Sequence, residues 1–324
     1  MEENKKVSDF ISKMNKEIGA GAVILGNTQK IKVDVISTGS LKIDAATGVG
    51  GIPRGRVTEV FGQESSSKTT LALHSTANVQ KAGGSALYID MEHALDPTYA
   101  TNLGVNLGAL AVSQPDNGEQ ALSIVKGALQ MGAFDLIVVD SVASLIPRVV
   151  IEGEVGDAHM GVLARLMSAN LPMFARLAFD SNVALLFLNQ MRNKLGVQYG
   201  SPLTTPGGDA MKYYTSLRLQ LTRSTLKKDG EEVLGNMVKA KVVKNKLAAP
   251  FKECEPEIIY GEGYSKESEI IDLGAEFDIV EKSGSWYSYK GERIGQGKEQ
   301  VKQFLLGHPD ISSEIEQMVR AKLI

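Results

Sequence analysis

Apolar residues in the first two thirds of the chain follow two kinds of pattern, and each kind predicts a different element. Continuous apolar runs, as at 136–139 and 183–188, are typical of parallel strands that helices cover on both faces. Between such runs, apolar residues recur at every third or fourth position, which predicts helices. The alternation of the two patterns predicts an α/β fold with a mostly parallel central sheet, in which ligands bind at the carboxyl ends of the strands.

Individual strands can be placed along this pattern. The predicted strands are 56–61, 85–90, 136–140, 183–189, 216–222 and 238–243. The last two alternate apolar and polar residues more strongly, which favours antiparallel pairing at an edge of the sheet. Ahead of the sheet, apolar residues at helical spacing predict a short amphipathic helix, which a weak strand at 22–25 follows; these residues are Val7, Phe10, Ile11, Met14 and Ile18.

The chain divides into parts of different character, predicted as residues 1–30, 31–266 and 267–324. The apolar stripe of the N-terminal helix needs a surface, either on its own core or on a neighbouring subunit. The central part contains two glycine-bearing stretches with little secondary-structure pattern, 152–161 and 192–208. Because the second is long for a connection within a compact domain, we expect it to be functional or mobile.

The C-terminal part is predicted to be a small α+β domain. A turn-rich aromatic segment at 284–291 predicts a hairpin, and apolar spacing at 301–306 and 313–323 predicts helices.

Composition limits the class of protein. The chain has 324 residues, of which 43% are hydrophobic and 23% charged, as in ordinary globular proteins. No apolar run is long enough to span a membrane, and the N-terminus lacks the apolar core of a signal peptide. Cys254 is the only cysteine, which excludes an intrachain disulfide and a cysteine-based zinc cluster. These features predict a cytoplasmic protein.

Charge is distributed unevenly along the chain. The net charge is −3, which by itself disfavours nucleic acid as a partner. Residues 158–228, however, contain nine basic and two acidic side chains. This local excess predicts a surface that could bind a polyanion on an otherwise acidic protein.

The segment from Gly62 to Thr69 carries the first chemical motif. It follows a predicted strand and precedes an apolar helical stretch, which is the context that a phosphate-binding P-loop requires. Lys68 would reach the β- and γ-phosphates, and the Thr69 hydroxyl would bind Mg²⁺. Serine stands at position 67, where the motif has glycine. If the loop needs a positive φ there, Ser67 is strained by roughly 1–3 kcal/mol; the alternative is a polar, serine-rich loop with no ligand.

Polar residues at the ends of three other predicted strands could complete a nucleotidase. Asp140 could support Mg²⁺ through water, and Glu92 could orient an attacking water molecule. Gln190, with Asn189, could sense the γ-phosphate and report it to the stretch at 192–208. The alternatives are a solvated carboxylate for Glu92 and a strand-end cap for the amides.

Several long segments together resemble the bacterial RecA recombinase family over nearly the whole chain. The segments are 36–41, 90–97, 113–116, 138–142, 152–157, 244–251 and 286–291. The resemblance implies a P-loop NTPase core of the RecA type between an N-terminal oligomerisation element and a C-terminal domain that captures duplex DNA. It implies a DNA-dependent ATPase that uses ATP and Mg²⁺, forms filaments on single-stranded DNA, and catalyses homologous pairing and strand exchange in recombination and repair. The partners that the resemblance implies are single- and double-stranded DNA, further copies of itself and an SOS-type repressor whose self-cleavage it would stimulate.

The resemblance also implies roles for individual residues around the nucleotide. Those that would bind it are Gly62, Glu64, Ser65, Ser66, Ser67, Lys68, Thr69, Thr70, Asp96, Tyr99 and Tyr260, with Asp140 supporting the metal. Those that would take part in hydrolysis are Glu92, Lys68, Gln190, Lys244 and Lys246. Because ATP lies between subunits in this family, Lys244, Lys246 and Tyr260 would reach the nucleotide of the neighbour. The N-terminal helix would then dock on the adjacent subunit.

The two irregular stretches resemble the DNA-binding loops of the family. Met160 and Leu195 would wedge between base triplets. Contacts to the DNA backbone, which carry no sequence information, would come from Arg165, Ser168, Arg192, Asn193, Lys194, Gly196, Gly207, Gly208 and Asp209. Arg223, Lys239 and Lys241 would form a secondary site for the incoming strand, and Lys282, Lys290, Arg293 and Lys298 would belong to the duplex-capturing domain. For any one of these cations the alternative is a solvated surface charge.

Two other functional classes remain open at this stage. One is a DNA-binding filament scaffold that does not hydrolyse ATP because Ser67 impairs the site. The other is an ATPase of related fold that acts on proteins or small molecules, which predicts no salt-sensitive affinity for DNA.

Overall fold

A computed structural model describes residues 2–19, 22–23, 33–154, 159, 161–193, 203–229 and 232–323. The chain separates into two compact units, Met1–Val33 and Asp34–Ile324. In the first, helix α1 (Glu2–Glu17) confirms the predicted amphipathic helix, and Val7 and Phe10 on it are exposed. The Asn15 side chain donates to the Val23 carbonyl (3.0 Å) and accepts from its amide (2.8 Å). Of the strand predicted at 22–25, residues 22 and 23 are not part of a strand, and residues 24 and 25 lie outside the described residues.

The helices and strands of the second unit, within the described residues, are as follows. The helices are α2 (Leu41–Thr47), α3 (Lys68–Lys81), α4 (Pro97–Asn102), α5 (Gly118–Met131), α6 (Arg148–Ile151), α7 (Val162–Ser181), α8 (Asp209–Tyr214), α9 (Lys266–Glu276), α10 (Gly297–Gly307) and α11 (Pro309–Leu323). The strands are β1 (Val35–Ile36), β2 (Ile52–Pro53), β3 (Val57–Gly62), β4 (Ala86–Asp90), β5 (Leu110–Ser113), β6 (Leu136–Asp140), β7 (Ala184–Gln190), β8 (Arg192–Asn193), β9 (Leu203–Thr204), β10 (Leu217–Asp229), β11 (Glu232–Asn245), β12 (Glu253–Cys254), β13 (Glu257–Ile259), β14 (Gly263–Tyr264), β15 (Glu281–Ser283), β16 (Trp286–Tyr289) and β17 (Glu292–Gln296).

The central sheet confirms the predicted mostly parallel α/β core. Its strand order is β14-β13-β11-β10-β3-β7-β6-β4-β5, with β12 paired to β11. The strands from β10 to β5 are parallel, while those from β11 to β14 pair antiparallel. In register, Gly62 lies opposite Gln190 and Asp90 lies opposite Asp140. The ends of β3, β7, β6 and β4 therefore bring the predicted polar residues to one edge of the sheet.

Two buried clusters cover the two faces of this sheet. One packs α3 residues such as Leu71 against Tyr88 and Val138, and the other packs α5 and α7 against Ile137 and Phe187. This burial on both faces is why the central strands have continuous apolar sequences. Within the described residues, no helix is both long and apolar enough to span a membrane.

The C-terminal segment has a buried cluster of its own, formed by α9, α10, α11 and the antiparallel sheet β15-β16-β17. Leu41 of α2 joins this cluster. Beside it, buried Glu269 of α9 accepts a hydrogen bond from Ser40 Oγ at 2.6 Å. The C-terminal segment is thus packed against the start of α2. The domain boundaries predicted at 30/31 and 266/267 remain predictions.

Some sequence predictions about the strands were wrong. The predicted edge strand at 216–222 is internal, because β10 pairs in parallel with β3 as well as antiparallel with β11. Strands β10 and β11 also extend far beyond the predicted bounds. Charged residues interrupt their apolar alternation, so the pattern predicts only part of each strand. Strand β5 was missed because only four residues form it. The predicted hairpin at 284–291 is instead the middle strand β16 with a turn at each end.

Candidate nucleotide site and nucleic-acid interface

The loop between β3 and α3 has the backbone form of an anion-binding site. Gly62 ends β3 in contact with the neighbouring strand, so that a β-carbon there would overlap the carbonyl oxygen of Leu221 and Ser66 Oγ. Ser65 and Ser67 have left-handed backbones, with φ of 56° and 69°, on either side of Ser66. Alternation of left-handed and other backbone conformations along a loop directs successive N–H groups toward one side. The N-terminus of the 14-residue helix α3 follows directly. The loop therefore fits phosphate oxygens.

Ser67 occupies the conformation that glycine adopts most readily. Its φ and ψ are 69° and 27°, and its side chain makes no capping hydrogen bond to α3. A left-handed backbone costs an L-residue roughly 1–2 kcal/mol. The sequence predicts strain at Ser67 if its φ is positive, and the structure shows that φ is positive.

Lys68 lies where its ammonium faces several carboxylates. Its Nζ donates to the Gln63 carbonyl at 2.8 Å. Burial lowers the pKa of Lys68, and the carboxylates of Asp140, Glu92 and Glu64 oppose that effect. A cationic group held against its own loop in this way can transfer its hydrogen bonds to an incoming phosphate.

A cavity of about 370 Å³ adjoins the loop. Its walls are Ser65, Ser66, Ser67, Lys68, Thr69, Thr70, Tyr99, Arg223, Asn236, Ile258 and Tyr260. The Thr70 and Tyr99 hydroxyls are 2.9 Å apart, which joins the aromatic wall to α3. Asp96 is exposed and is not part of the wall; its Oδ1 accepts from the Thr98 and Tyr99 amides and caps α4.

Two residues lie elsewhere than the sequence analysis places them. Tyr260 lines the cavity of its own chain, whereas it was expected to reach the nucleotide of a neighbour. Arg223, assigned to a secondary DNA site, lines the same cavity. The reason is the sheet register: Leu221 of β10 pairs with Gly62, so the residues that follow Leu221 run on beside the P-loop.

Asp140 provides a carboxylate beside the Thr69 hydroxyl. Its Oδ2 accepts from Thr69 Oγ1 at 3.0 Å and from the Tyr88 hydroxyl at 2.6 Å. Burial raises the pKa of Asp140, while these two hydrogen bonds lower it. A threonine hydroxyl next to a carboxylate is a donor set of hard oxygens, and it fits a magnesium ion that retains several water molecules.

Glu92 is the centre of a second cluster at the same edge. Its Oε1 accepts from Ser141 Oγ (2.6 Å), Ser144 Oγ (3.2 Å) and Gln190 Nε2 (2.9 Å). Glu92 and Gln190, which the sequence predicts separately as site residues, are therefore in direct contact. Sequence reasoning missed Ser141, Ser144 and Tyr88; the one available indication was that Ser141 directly follows Asp140.

A chain of hydrogen bonds runs from this cluster toward the second irregular stretch. The main-chain N–H of Gln190 donates to Asn189 Oδ1 at 3.0 Å, and Asn189 Nδ2 donates to the Pro206 carbonyl at 3.0 Å. Asn189 also donates to the fully buried Glu59, which Arg218 neutralises at 2.5 Å. The residue that contacts Glu92 is thus tied to the segment just before Gly207.

The predicted DNA-contacting residues fall on three elements. Arg165 and Ser168 are exposed on α7, and Arg192 is exposed on β8, which pairs with β9 further along the same stretch. Asn193 also lies on β8. Gly207 and Gly208 precede Asp209, the first residue of α8, and both have a positive φ. Met160, Lys194, Leu195 and Gly196 lie outside the described residues.

Lys244 and Lys246 lie at the carboxyl end of α8. Lys244 Nζ donates to the carbonyls of Lys212 and Tyr213, and Lys246 Nζ donates to the latter at 3.0 Å. Burial, with the charges of Lys246 and Arg218, lowers the pKa of Lys244 to about 8. Neither lysine lines the cavity of its own P-loop.

Other predicted cations already have partners within the chain. Lys239 and Lys241 each form an ion pair with Glu253 at 2.6 Å, and Lys298 pairs with Asp272 at 2.8 Å. In the C-terminal sheet, Lys282 and Lys290 lie over the rings of Tyr287 and Tyr289, and Arg293 lies over Trp286.

Comparison with known proteins identifies similar sequences over almost the whole chain. A family model described as the RecA N-terminal domain matches residues 5–265, and one described as the RecA C-terminal domain matches residues 268–324. A protein named Protein RecA from Caldanaerobacter subterraneus subsp. tengcongensis is 53% identical over 321 residues, which cover 99% of this chain and 94% of that protein. Proteins of the same name from Macrococcus caseolyticus and Streptomyces rimosus are 52% and 51% identical, over 99% and 98% of this chain and 91% and 85% of their own lengths.

Proposed function

Because the chain belongs to the RecA family, we propose that it is a DNA-dependent ATPase that forms filaments on single-stranded DNA and catalyses homologous pairing and strand exchange in recombination and repair. The observation that carries the proposal is the convergence of the P-loop, the Thr69–Asp140 pair and the Glu92–Gln190 pair at one edge of the sheet. A cytoplasmic location is part of the proposal.

Lys68 and the loop amides hold the phosphates of ATP. Thr69 and Asp140 are the residues that would hold Mg²⁺, which neutralises charge on the phosphates when it is bound. Glu92 orients the attacking water molecule. Since the three donors to Glu92 among the described residues all bind Oε1, Oε2 is the oxygen that would accept from the water. Tyr99 and Tyr260 provide an aromatic wall for the base.

Gln190 connects the nucleotide to DNA binding. Its side chain contacts Glu92, and its main-chain N–H donates to the side chain of Asn189, which in turn donates to the carbonyl of Pro206 next to Gly207. A change in the position of Gln190 on hydrolysis therefore reaches the stretch that contacts the DNA backbone. This connection favours a DNA-dependent ATPase over an ATPase that acts on small molecules.

Filament formation would bring Lys244 and Lys246 to the nucleotide of a neighbouring copy. Lys244 and Lys246 lie away from the P-loop cavity of their own chain, so they would reach ATP that a neighbouring copy holds. The exposed apolar residues of α1 dock on an adjacent copy.

The cations on α7 and β8 bind DNA phosphates without regard to sequence, and the C-terminal segment captures duplex DNA. Stimulation of the self-cleavage of an SOS-type repressor is a further activity that the family makes worth testing.

The proposal is tested by the steady-state rate of ATP hydrolysis with and without single-stranded DNA, in the presence of Mg²⁺. Strong stimulation by DNA supports it. DNA binding without hydrolysis in either condition would instead favour a filament scaffold. A lack of salt-sensitive DNA affinity would favour an ATPase that acts on other substrates.

Replacement of Ser67 by glycine is expected to stabilise the protein. Glycine removes the left-handed strain, so the free energy of unfolding should rise by about 1 kcal/mol, net of the greater freedom of glycine in the unfolded chain. Equilibrium denaturation without nucleotide measures this. Ser67→Ala is the matched control because it loses the hydroxyl but keeps the strain; equal stabilisation in both variants would show that the backbone conformation is not the cause.

Replacement of Glu253 by glutamine is expected to strengthen binding to DNA. Glu253 lies opposite Lys241 in the β11–β12 pair and contacts Lys239 as well. The two lysines lower the pKa of Glu253 to about 2, so it is ionised at neutral pH and competes with phosphate for both cations. We expect tighter binding of duplex DNA at low salt, and a salt slope that is steeper by about 1 for each additional phosphate that a released lysine neutralises.

Glu276→Gln is the control for that experiment, because it makes the same change of net charge on the exposed face of α9, a helix that contains none of the proposed DNA-contacting residues. If both variants bind DNA equally well, the effect is one of net charge and not of released lysines.

A further inference from the structure

Tyr88 lies directly beneath the nucleotide site. It belongs to β4 and is only 1% exposed, and its side chain packs in the cluster that α3 covers, with Leu71 and Val138. In the parallel register Tyr88 lies opposite Val138 of β6, so Asp140 is two residues further along on the same face. The ring therefore fills the core, and its hydroxyl points toward the strand end where Asp140 is found.

The hydroxyl of Tyr88 makes the shortest hydrogen bond to Asp140. It donates to Oδ2 at 2.6 Å, and Thr69 Oγ1 donates to the same oxygen at 3.0 Å. Among the described residues, no donor contacts Oδ1. Thr69 is itself a proposed ligand of the metal ion, whereas Tyr88 can hold the carboxylate without competing for the ion.

Burial alone does not require this hydrogen bond. Tyr264 is also buried, at 6% exposure, and within the described part of the chain its hydroxyl has no hydrogen-bond partner. Burial of a tyrosine ring in this core does not by itself place a protein acceptor at its hydroxyl. Burial therefore does not explain why the Tyr88 hydroxyl contacts the carboxylate of Asp140 beside the phosphate loop.

We propose that Tyr88 is a positioning residue of the magnesium site: its O–H fixes Oδ2 of Asp140, so that Oδ1 is presented to the ion or to a water molecule that the ion holds. The inference rests on the proposed function and adds to it a residue that no motif contains. Partners that orient a metal-binding group commonly change metal affinity by about 10- to 100-fold when they are removed. Without its O–H, the carboxylate could rotate and would meet the ion less often in the productive orientation.

The test is Tyr88→Phe in the full chain, which keeps the ring and removes only the hydroxyl. Binding of a fluorescent ATP analogue is titrated with Mg²⁺, and its affinity in EDTA is measured separately. We expect the Mg²⁺ concentration for half-maximal binding to rise about 10-fold, while the affinity in EDTA and the thermal midpoint stay close to those of the unaltered protein. Tyr264→Phe is the matched control and should leave the Mg²⁺ dependence unchanged.

Each outcome is decisive. A Mg²⁺ dependence that is unchanged in Tyr88→Phe, or shifted equally in Tyr264→Phe, overturns the role of Tyr88 while the proposed function stands. An equal loss of affinity with and without Mg²⁺ would show that Tyr88 supports the loop as a whole and does not act on the metal site. If the unaltered chain binds the analogue with no dependence on Mg²⁺, both the inference and the proposed metal site fail.

Discussion

Glu92→Gln is expected to lower the rate of ATP hydrolysis by about 100- to 10,000-fold, the usual contribution of a positioned acid–base group. The amide keeps an oxygen that can accept from Ser141, Ser144 and Gln190, so the cluster at the sheet edge should stay in place. It lacks the second carboxylate oxygen that would accept from the attacking water. Binding of ATP should therefore change little, and DNA-bound filaments should persist because the nucleotide is not consumed.

The measurement is single-turnover hydrolysis of ATP on single-stranded DNA, alongside equilibrium binding of the nucleotide. Glu276→Gln is the control, since it makes the same charge change on the exposed face of α9. Hydrolysis by Glu92→Gln at a rate close to that of the control would contradict the role of Glu92. A parallel loss of nucleotide binding would show that the residue supports the site and does not act in the chemical step.

Lys68→Met should abolish hydrolysis by a different route, through loss of the nucleotide itself. Methionine keeps an unbranched apolar stem but removes the ammonium. Hydrogen bonds to charged groups contribute roughly 1.5–3 kcal/mol each, so the affinity for ATP should fall by at least about 10-fold for each one lost. Because Asp140, Glu92 and Glu64 lie around Lys68, their charges would then face the phosphates without a cation between them. The loss should consequently be larger for ATP than for adenosine.

Calorimetric titration with ATP, ADP and adenosine measures that order. Lys81→Met, in the last turn of the same helix, is the control for loss of a positive charge from α3. Binding of ATP by Lys68→Met with the affinity of the control would exclude Lys68 as a phosphate ligand. Together, the two variants separate binding from turnover: Glu92→Gln binds and does not hydrolyse, and Lys68→Met does neither.

Motif spacing and apolar runs were enough to predict which polar residues meet at one edge of the sheet. Lys68, Thr69, Asp140, Glu92 and Gln190 each follow or end a strand that was predicted correctly, and parallel strands bring their carboxyl ends to one edge. The predicted strands at 136–140 and 183–189 lie within one residue of β6 and β7. Local sequence was informative here because burial on both faces leaves a continuous apolar pattern.

Residues whose role depends on a neighbouring strand were the ones that sequence could not place. Arg223 and Tyr260 line the P-loop cavity because β10 runs parallel to β3 and β13 pairs with β11. Tyr88 has the sequence context of an ordinary core residue, and only the register of β4 against β6 shows what its hydroxyl contacts. The pairing of Lys239 and Lys241 with Glu253 likewise follows from a strand pair that no pattern predicted.

The sequence by itself determined the class of fold, the order of the core strands along the chain, and the residue types from which we propose a phosphate and metal site. Those properties are local, because a strand, a tight loop and a helix start are each encoded within a few consecutive residues. Only the tertiary structure decided which side chains meet across strands, which oxygen of Asp140 is held, and that Ser67 adopts a left-handed backbone. These depend on sheet register and loop closure, in which residues far apart in the chain set each other's positions.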